Sequence, residues 1–189
     1  MIDEAREELE RLVERAVDGD KDAFSALVRQ LMTQVAAVAY RMTGDRESAR
    51  DLAQETFLSA WQNIRSYRRE AGFTSWLYRI AVNKTLNFLK ANRRLVVSDE
   101  VVIQEADRQG SAITPEEELS RRDLADGVLA FMATLPPQQR MIFNLRFYSQ
   151  MSFDEIATVT GRALGTVKTG YREAVSKLRD HAREKGWKS

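Results

Sequence analysis

Met151 to Leu178 reads MSFDEIATVTGRALGTVKTGYREAVSKL, and this stretch decides the fold. Ser152 sits before an apolar-periodic run, and Glu155 follows three residues later. That spacing is a capping box, in which a hydroxyl and a carboxylate each satisfy one of the orphan N–H groups that open a helix. Gly161 falls where the first helix must stop, because glycine accepts the positive φ of a helix C-terminus without a Cβ clash. Ala157 is small where a second helix must cross closely. Ile156, Val167, Tyr171, Ala174, Val175 and Leu178 recur at helical spacing and form one seam. Two short helices joined by a glycine turn make a helix-turn-helix, whose second helix fits a DNA major groove. A plain helical hairpin buried in an all-α core is the alternative reading of the same pattern.

Working outward, the 189 residues suffice for one large domain or two small ones. There is no cysteine and one histidine, His181, which excludes disulfides, thiolate sites and histidine metal clusters. The charged, amphipathic start MIDEAREELERL lacks the apolar core of a signal peptide, and no run is apolar and long enough to span a membrane. A cytoplasmic protein is expected. The net charge of +1 hides an uneven distribution. From Val96 to Glu118 seven acidic residues face one arginine, a local charge of about −6, while the following segment carries about +5 and the preceding one about +2. Two basic blocks flank an acidic connector, as suits two phosphate-facing surfaces.

Nearly every segment carries a helical period. A first amphipathic helix from Ile2 ends at Asp18-Gly19-Asp20, and Asp20 caps the next, about Lys21 to Met42. Thr43-Gly44 ends that helix and Asp45 caps a third, to about Ile64. A loop from Ser66 to Gly72 follows, and Thr74 is placed to cap a fourth helix over Ser75 to Arg94. Thr114-Pro115-Glu116-Glu117 marks another start, and Pro136-Pro137 one more. The expectation is an all-α chain of two small helical domains, residues 1–95 and 114–189, joined by a flexible acidic linker over 96–113, the C-terminal domain containing the helix-turn-helix.

Two further stretches carry chemistry. In DLAQETFLSAWQ, Asp51, Gln54 and Glu55 form a polar patch that, taken alone, is a solvated helix face. Phe57 and Leu58 point away from part of its apolar stripe. In FTSWLYRIAVNKTLNFLKANRR, basic residues alternate with Trp76, Tyr78 and Phe88, and Asn83 and Asn87 lie one turn apart. Basic residues bind phosphates, aromatic rings stack on unpaired bases, and asparagine reads base edges. Trp76 reads as core, whereas Asn83, Lys84 and Asn87 read as functional, since asparagine is an indifferent helix former.

These segments together resemble the sigma-70 family of bacterial RNA polymerase sigma factors, in particular its small extracytoplasmic-function (ECF) group. DLAQETFLSAW resembles the family's core-polymerase-binding helix, FTSWLYRIAVNKTLN its promoter-melting and minus-ten-reading segment, and Leu135 to Leu178 its minus-thirty-five-reading domain. The resemblance implies a dissociable initiation factor, without enzymatic activity or cofactor, acting with the β and β′ subunits of core polymerase and promoter DNA. It implies control by an anti-sigma factor, which can hold the protein at the membrane. It assigns Asp51, Gln54, Glu55 and Phe57 to core polymerase. Tyr67, Arg68, Arg69 and Phe73 are assigned to a pocket for a flipped-out promoter base, and Asn83, Lys84 and Asn87 to the melted minus-ten strand. Extruding a base costs a few kcal/mol, which the pocket must offset. Thr166, Lys168, Thr169 and Arg172 are assigned to the minus-thirty-five duplex, with the helix N-terminus near Thr166 favouring a phosphate. Gly170 and Glu173 stand where arginines are common in the family, so the C-terminal domain is expected either to bind DNA weakly alone or to read an unusual element, and Gly170→Arg to tighten duplex binding. The competing reading is a stand-alone helix-turn-helix regulator, which has no use for a base-stacking segment.

Overall fold

The computed structural model describes residues 2–69, 71–92 and 126–187. Among them every regular element is helical: α1 (Ile2–Val17), α2 (Lys21–Thr43), α3 (Arg46–Asn63), a 3₁₀ turn (Ile64–Ser66), α4 (Phe73–Asn92), α5 (126–134), α6 (Pro137–Phe147), α7 (Phe153–Thr160) and α8 (Leu164–Glu184). The expected linker at 96–113 and the helix start at Thr114 lie outside the described residues.

The caps explain the boundaries. Asp20 accepts from the N–H groups of Asp22 and Ala23 at 2.9 and 3.0 Å, and Asp45 accepts from Ser48 at 2.7 Å. Each carboxylate is thereby held below the ordinary aspartate value, Asp20 chiefly by Ala23 and Asp45 chiefly by Ser48. Gly44 closes α2 with a φ of 74°, donating to Tyr40 O. The expected cap at Thr74 is displaced: α4 begins at Phe73, and Thr74 lies inside its first turn. Phe73 is drawn into the helix because its ring is buried against Tyr67 and Trp76.

Helices α1 to α4 pack around Leu27, Leu31, Val35, Val38, Phe57, Leu77 and Val82. Helices α5, α6 and α8 enclose Phe131, Met132, Leu135, Phe143 and Ala174. The two halves do not stand apart. Met141, Ile142, Leu145, Met151, Ile156 and Val159 belong to the same buried cluster as the core of α1–α4. Helix α7 lies on α4 and α6 lies on α2. Asn144, fully buried at 0 % exposure, donates through Nδ2 to Val38 O at 3.0 Å. Arg140 donates to Met42 O at 2.8 Å, placing a cation on the carbonyl end of α2, where the helix dipole favours it. The same guanidinium donates to Ala133 O and Leu135 O, and burial pushes its pKa below the usual arginine value. The Arg41 guanidinium lies 4.0 Å from the centre of the Tyr148 ring.

Candidate nucleic-acid and polymerase interface

Three surfaces answer to the residues singled out in the sequence. The first is on α3. Asp51, Gln54 and Glu55 are exposed along its outer face. Phe57 is not. It is 4 % exposed, its ring packed edge-on against Phe24 at 6.5 Å, so the assignment of Phe57 as a surface contact is corrected to a core role. Of the two residues expected to point away from the apolar stripe, Leu58 is the exposed one, at 58 %. Leu58 falls one helical turn after Gln54, and that spacing was the signal available. It rims a groove of about 380 Å³ lined by Lys21, Phe24, Ser25, Phe57 and Trp61. A polar stripe beside an apolar groove suits a partner helix with an apolar edge.

The second surface joins the loop before α4 to the face of α4. Arg68 and Arg69 are exposed. Arg69 holds a φ of 59°, a left-handed conformation that costs a β-carbon residue of order 1 kcal/mol or more. Two contacts shape the loop around it. Arg69 donates to Glu14 of α1 at 2.9 Å, and the Tyr67 hydroxyl donates to Ala71 O at 2.7 Å. Tyr67, Phe73 and Trp76 form a triangle of rings with centroids 5.4 to 5.7 Å apart. Burial raises the Tyr67 pKa, so its hydroxyl stays protonated and keeps donating. Phe73, expected in or beside the pocket loop, is 5 % exposed and packs against Tyr67 and Trp76. On α4, Asn83 and Asn87 are exposed on one face, one turn apart, and Lys84 beside them bonds Glu55 of α3 at 3.3 Å. The polar stripe of α3 and the polar face of α4 are thus adjacent.

The third surface is α8. The capping box of α7 is present: Ser152 Oγ accepts from Glu155 N at 3.2 Å, and Glu155 Oε2 accepts from Ser152 N at 2.7 Å. Gly161 ends α7 with a φ of 66°. No side chain caps α8 at Ala163, which leaves the first-turn N–H groups for another acceptor. Thr166, Lys168, Thr169 and Arg172 are all exposed along the helix. Both departures have partners on α6. A Cβ on Gly170 would stand 3.0 Å from Ile142 Cδ1, so this position lies against α6. Glu173 accepts from Gln139 Nε2 at 2.7 Å, and Gln139 Oε1 accepts from Lys177 at 2.9 Å. That network fastens α8 to α6 and engages one carboxylate oxygen of Glu173.

Among the described residues no cluster of acidic, histidine or cysteine side chains is arranged for a metal, and no helix is long and apolar enough to cross a membrane. The geometry defines a class: an all-helical protein with exposed polar and basic residues on α4 in one half and on the second helix of a helix-turn-helix in the other.

Comparison with known proteins gives that class its family. The family model for sigma-70 region 2 matches residues 27–95, and that for sigma-70 region 4 matches residues 126–178. The chain is 34% identical over 164 residues to the ECF RNA polymerase sigma-E factor of Haemophilus influenzae, covering 84% of this chain and 86% of that one. It is 32% identical over 181 residues to the RNA polymerase sigma-H factor of Pseudomonas aeruginosa, covering 91% and 94%. Its fold is similar to that of CnrH in complex with the cytosolic domain of CnrY, with a TM-score of 0.67 at 24% identity over 90% of this chain and 94% of that one. It is equally similar to the sigma factor RpoE of Bartonella quintana, solved with the anti-sigma factor NepR, with a TM-score of 0.67 at 24% identity over 87% and 98%. The chain belongs to the sigma-70 family of RNA polymerase sigma factors, in its ECF group. Family membership makes it a transcription initiation factor.

Proposed function

We propose that the chain binds core polymerase through the outer face of α3, reads and melts the minus-ten element with α4 and the loop before it, and reads the minus-thirty-five duplex with α8. The observation that carries this reading is the exposed polar set on each of the three helices, each supported from beneath by a packed core. Asp51, Gln54, Glu55 and Leu58 would meet a helical element of the polymerase clamp. Arg68 and Arg69 would hold phosphates beside the half-buried rings of Tyr67 and Trp76, on whose outer faces an unstacked base would stack. Asn83 and Asn87 would bond base edges of the separated strand, with Lys84 on a phosphate. Thr166 and the α8 N-terminus would take one duplex phosphate, and Lys168, Thr169 and Arg172 the groove. Specificity arises from two modest contacts made together, so effective concentration multiplies them.

The ion pair between Glu55 and Lys84 links polymerase binding to strand reading. A polymerase cation that takes Glu55 leaves Lys84 for a phosphate. An exposed pair of this kind is worth under about 1 kcal/mol, so the exchange is inexpensive. The surfaces around α3 and α4 also suit an anti-sigma factor, since a partner covering Glu55 and Lys84 blocks both activities.

The test is run-off transcription with purified core polymerase, with and without the protein, on fragments of the host genome. Discrete transcripts that require the protein establish the reading, and their upstream sequences give both elements. Retained duplex binding without transcripts or association with core points instead to a stand-alone regulator.

A further inference from the structure

Helix α1 holds the loop before α4 through an ion pair. Arg69 Nη1 donates to Glu14 Oε1 at 2.9 Å, across 55 positions of sequence. The anchor is firm. Val13 and Ala16, on either side of Glu14, are buried in the core of α1–α4. Arg15 donates twice to Asp20 Oδ2, at 2.9 and 2.7 Å, and Asp20 caps α2, so the end of α1 is tied to the next helix.

The loop it holds is strained. Arg69 has a φ of 59°. A residue with a β-carbon disfavours that conformation by about fivefold or more. An exposed ion pair shifts an equilibrium by up to about fivefold. The two effects are of one size, so the Glu14 pair is strong enough to decide the turn. The turn leads into Ala71, whose carbonyl oxygen accepts from the Tyr67 hydroxyl at 2.7 Å. The Tyr67 ring centroid lies 5.4 Å from that of Trp76. Glu14 thus acts on Arg69, Arg69 on the turn, and the turn on the Tyr67 ring. A guanidinium has five N–H donors, so Nη1 can stay on Glu14 while others meet a phosphate.

Glu10 stands one helical turn before Glu14, exposed and with the same charge. Burial is the main cause of the raised Tyr67 pKa, Arg69 opposes it and Glu10 adds to it, so both charges lie near this ring. Glu10, however, bonds Arg6 of its own helix at 3.2 Å.

We propose that Glu14 is a positioning residue for base capture: through Arg69 it fixes the left-handed turn, and with it the Tyr67 ring on which an unstacked promoter base stacks. This rests on the proposed reading of the minus-ten strand and deepens it by adding a residue of α1. Charge alone predicts the opposite effect. A carboxylate near a phosphate site repels the strand, so its removal should tighten binding. Positioning reverses that sign for Glu14 and leaves it for Glu10, which has the charge without the bond to the loop.

The experiment uses the full chain with Glu14→Ala, Glu14→Gln and Glu10→Ala, all at exposed helix positions. The initial rate of tryptic cleavage after Arg68 and Arg69, read by mass spectrometry, reports loop order without DNA or polymerase. For capture, a randomised pool of single strands is selected for those that core polymerase retains only with the wild-type protein. These strands, carrying 2-aminopurine, give affinity and, by quenching, base stacking. Glu14→Ala should be cleaved at least about threefold faster and bind about threefold more weakly, with less quenching. Glu14→Gln, which keeps an acceptor oxygen for Arg69, should recover most of both. Glu10→Ala should bind as tightly as the wild type or more so. Equal or tighter binding by Glu14→Ala, no recovery by Glu14→Gln, or an equal loss in Glu10→Ala overturns the role of Glu14 while strand reading stands. A wild type that retains no strand overturns strand reading and the role of Glu14 together.

Discussion

Gly170 offers the sharpest test of how α8 is seated. Glycine inside a helix costs about 1 kcal/mol against alanine, so Gly170→Ala gains that much from propensity alone. The new Cβ would stand 3.0 Å from Ile142 Cδ1, and Ile142 is 3 % exposed, with little room to move. Overpacking of this kind costs about 1–3 kcal/mol. The single substitution should therefore be neutral or destabilising by about 1–2 kcal/mol, the difference of those two ranges. Ile142→Val removes the obstructing methyl and by itself costs about 0.5–1.5 kcal/mol. In that background Gly170→Ala should recover about 1 kcal/mol, giving a coupling of at least about 1 kcal/mol in the double-mutant cycle. Gly170→Arg should destabilise by more than about 2 kcal/mol and weaken duplex binding. Urea unfolding gives the stabilities, and fluorescence anisotropy on a minus-thirty-five duplex gives the affinities. Tighter binding by Gly170→Arg at unchanged stability would refute the seating, since it would place position 170 against DNA.

Four further outcomes are expected. Phe57→Ala should cost about 3–5 kcal/mol in stability, whereas Leu58→Ala should stay within about 0.5 kcal/mol and still weaken binding to core polymerase; pull-down beside urea unfolding separates the two. Lys84→Gln should leave the fold intact and reduce the salt dependence of minus-ten strand binding by about one phosphate contact, read from affinity against salt concentration. Asp45 is held below its usual pKa, so its contribution is complete above the unfolded value of about 3.9 and is lost as pH falls through the folded value; Asp45→Ala should cost about 1 kcal/mol at neutral pH and progressively less as the carboxyl of the wild type protonates in acid. A Cβ on Gly127 would overlap the Trp187 ring, so Gly127→Ala should expel that ring to solvent, seen as a red shift in tryptophan emission.

Local chemistry was legible in the sequence because its causes are local. Asp20, Asp45, Gly44, Ser152, Glu155 and Gly161 cap or end helices through atoms within a few residues of themselves, and their order in the chain suffices to place them. The exposure of Asn83, Asn87, Lys168, Thr169 and Arg172 was legible for a related reason. A helix surface is set by a fixed period, and a polar residue on the outer stripe stays outside. The family, too, could be recognised from three motifs in order.

Tertiary packing decided the rest. Phe57 and Leu58 are adjacent in sequence, and only the position of Phe24 across the α2–α3 seam determines which is buried. Gly170 looks like a missing arginine until Ile142 is found 3.0 Å from where its Cβ would be. Glu173 reads as a charge opposed to DNA until Gln139, 34 positions earlier, is seen to hold it. Asn144 and Val38, 106 positions apart, join the two halves through one buried amide. Caps and faces follow from neighbours along the chain, whereas these contacts depend on how one helix surface meets another, which the order of residues leaves open.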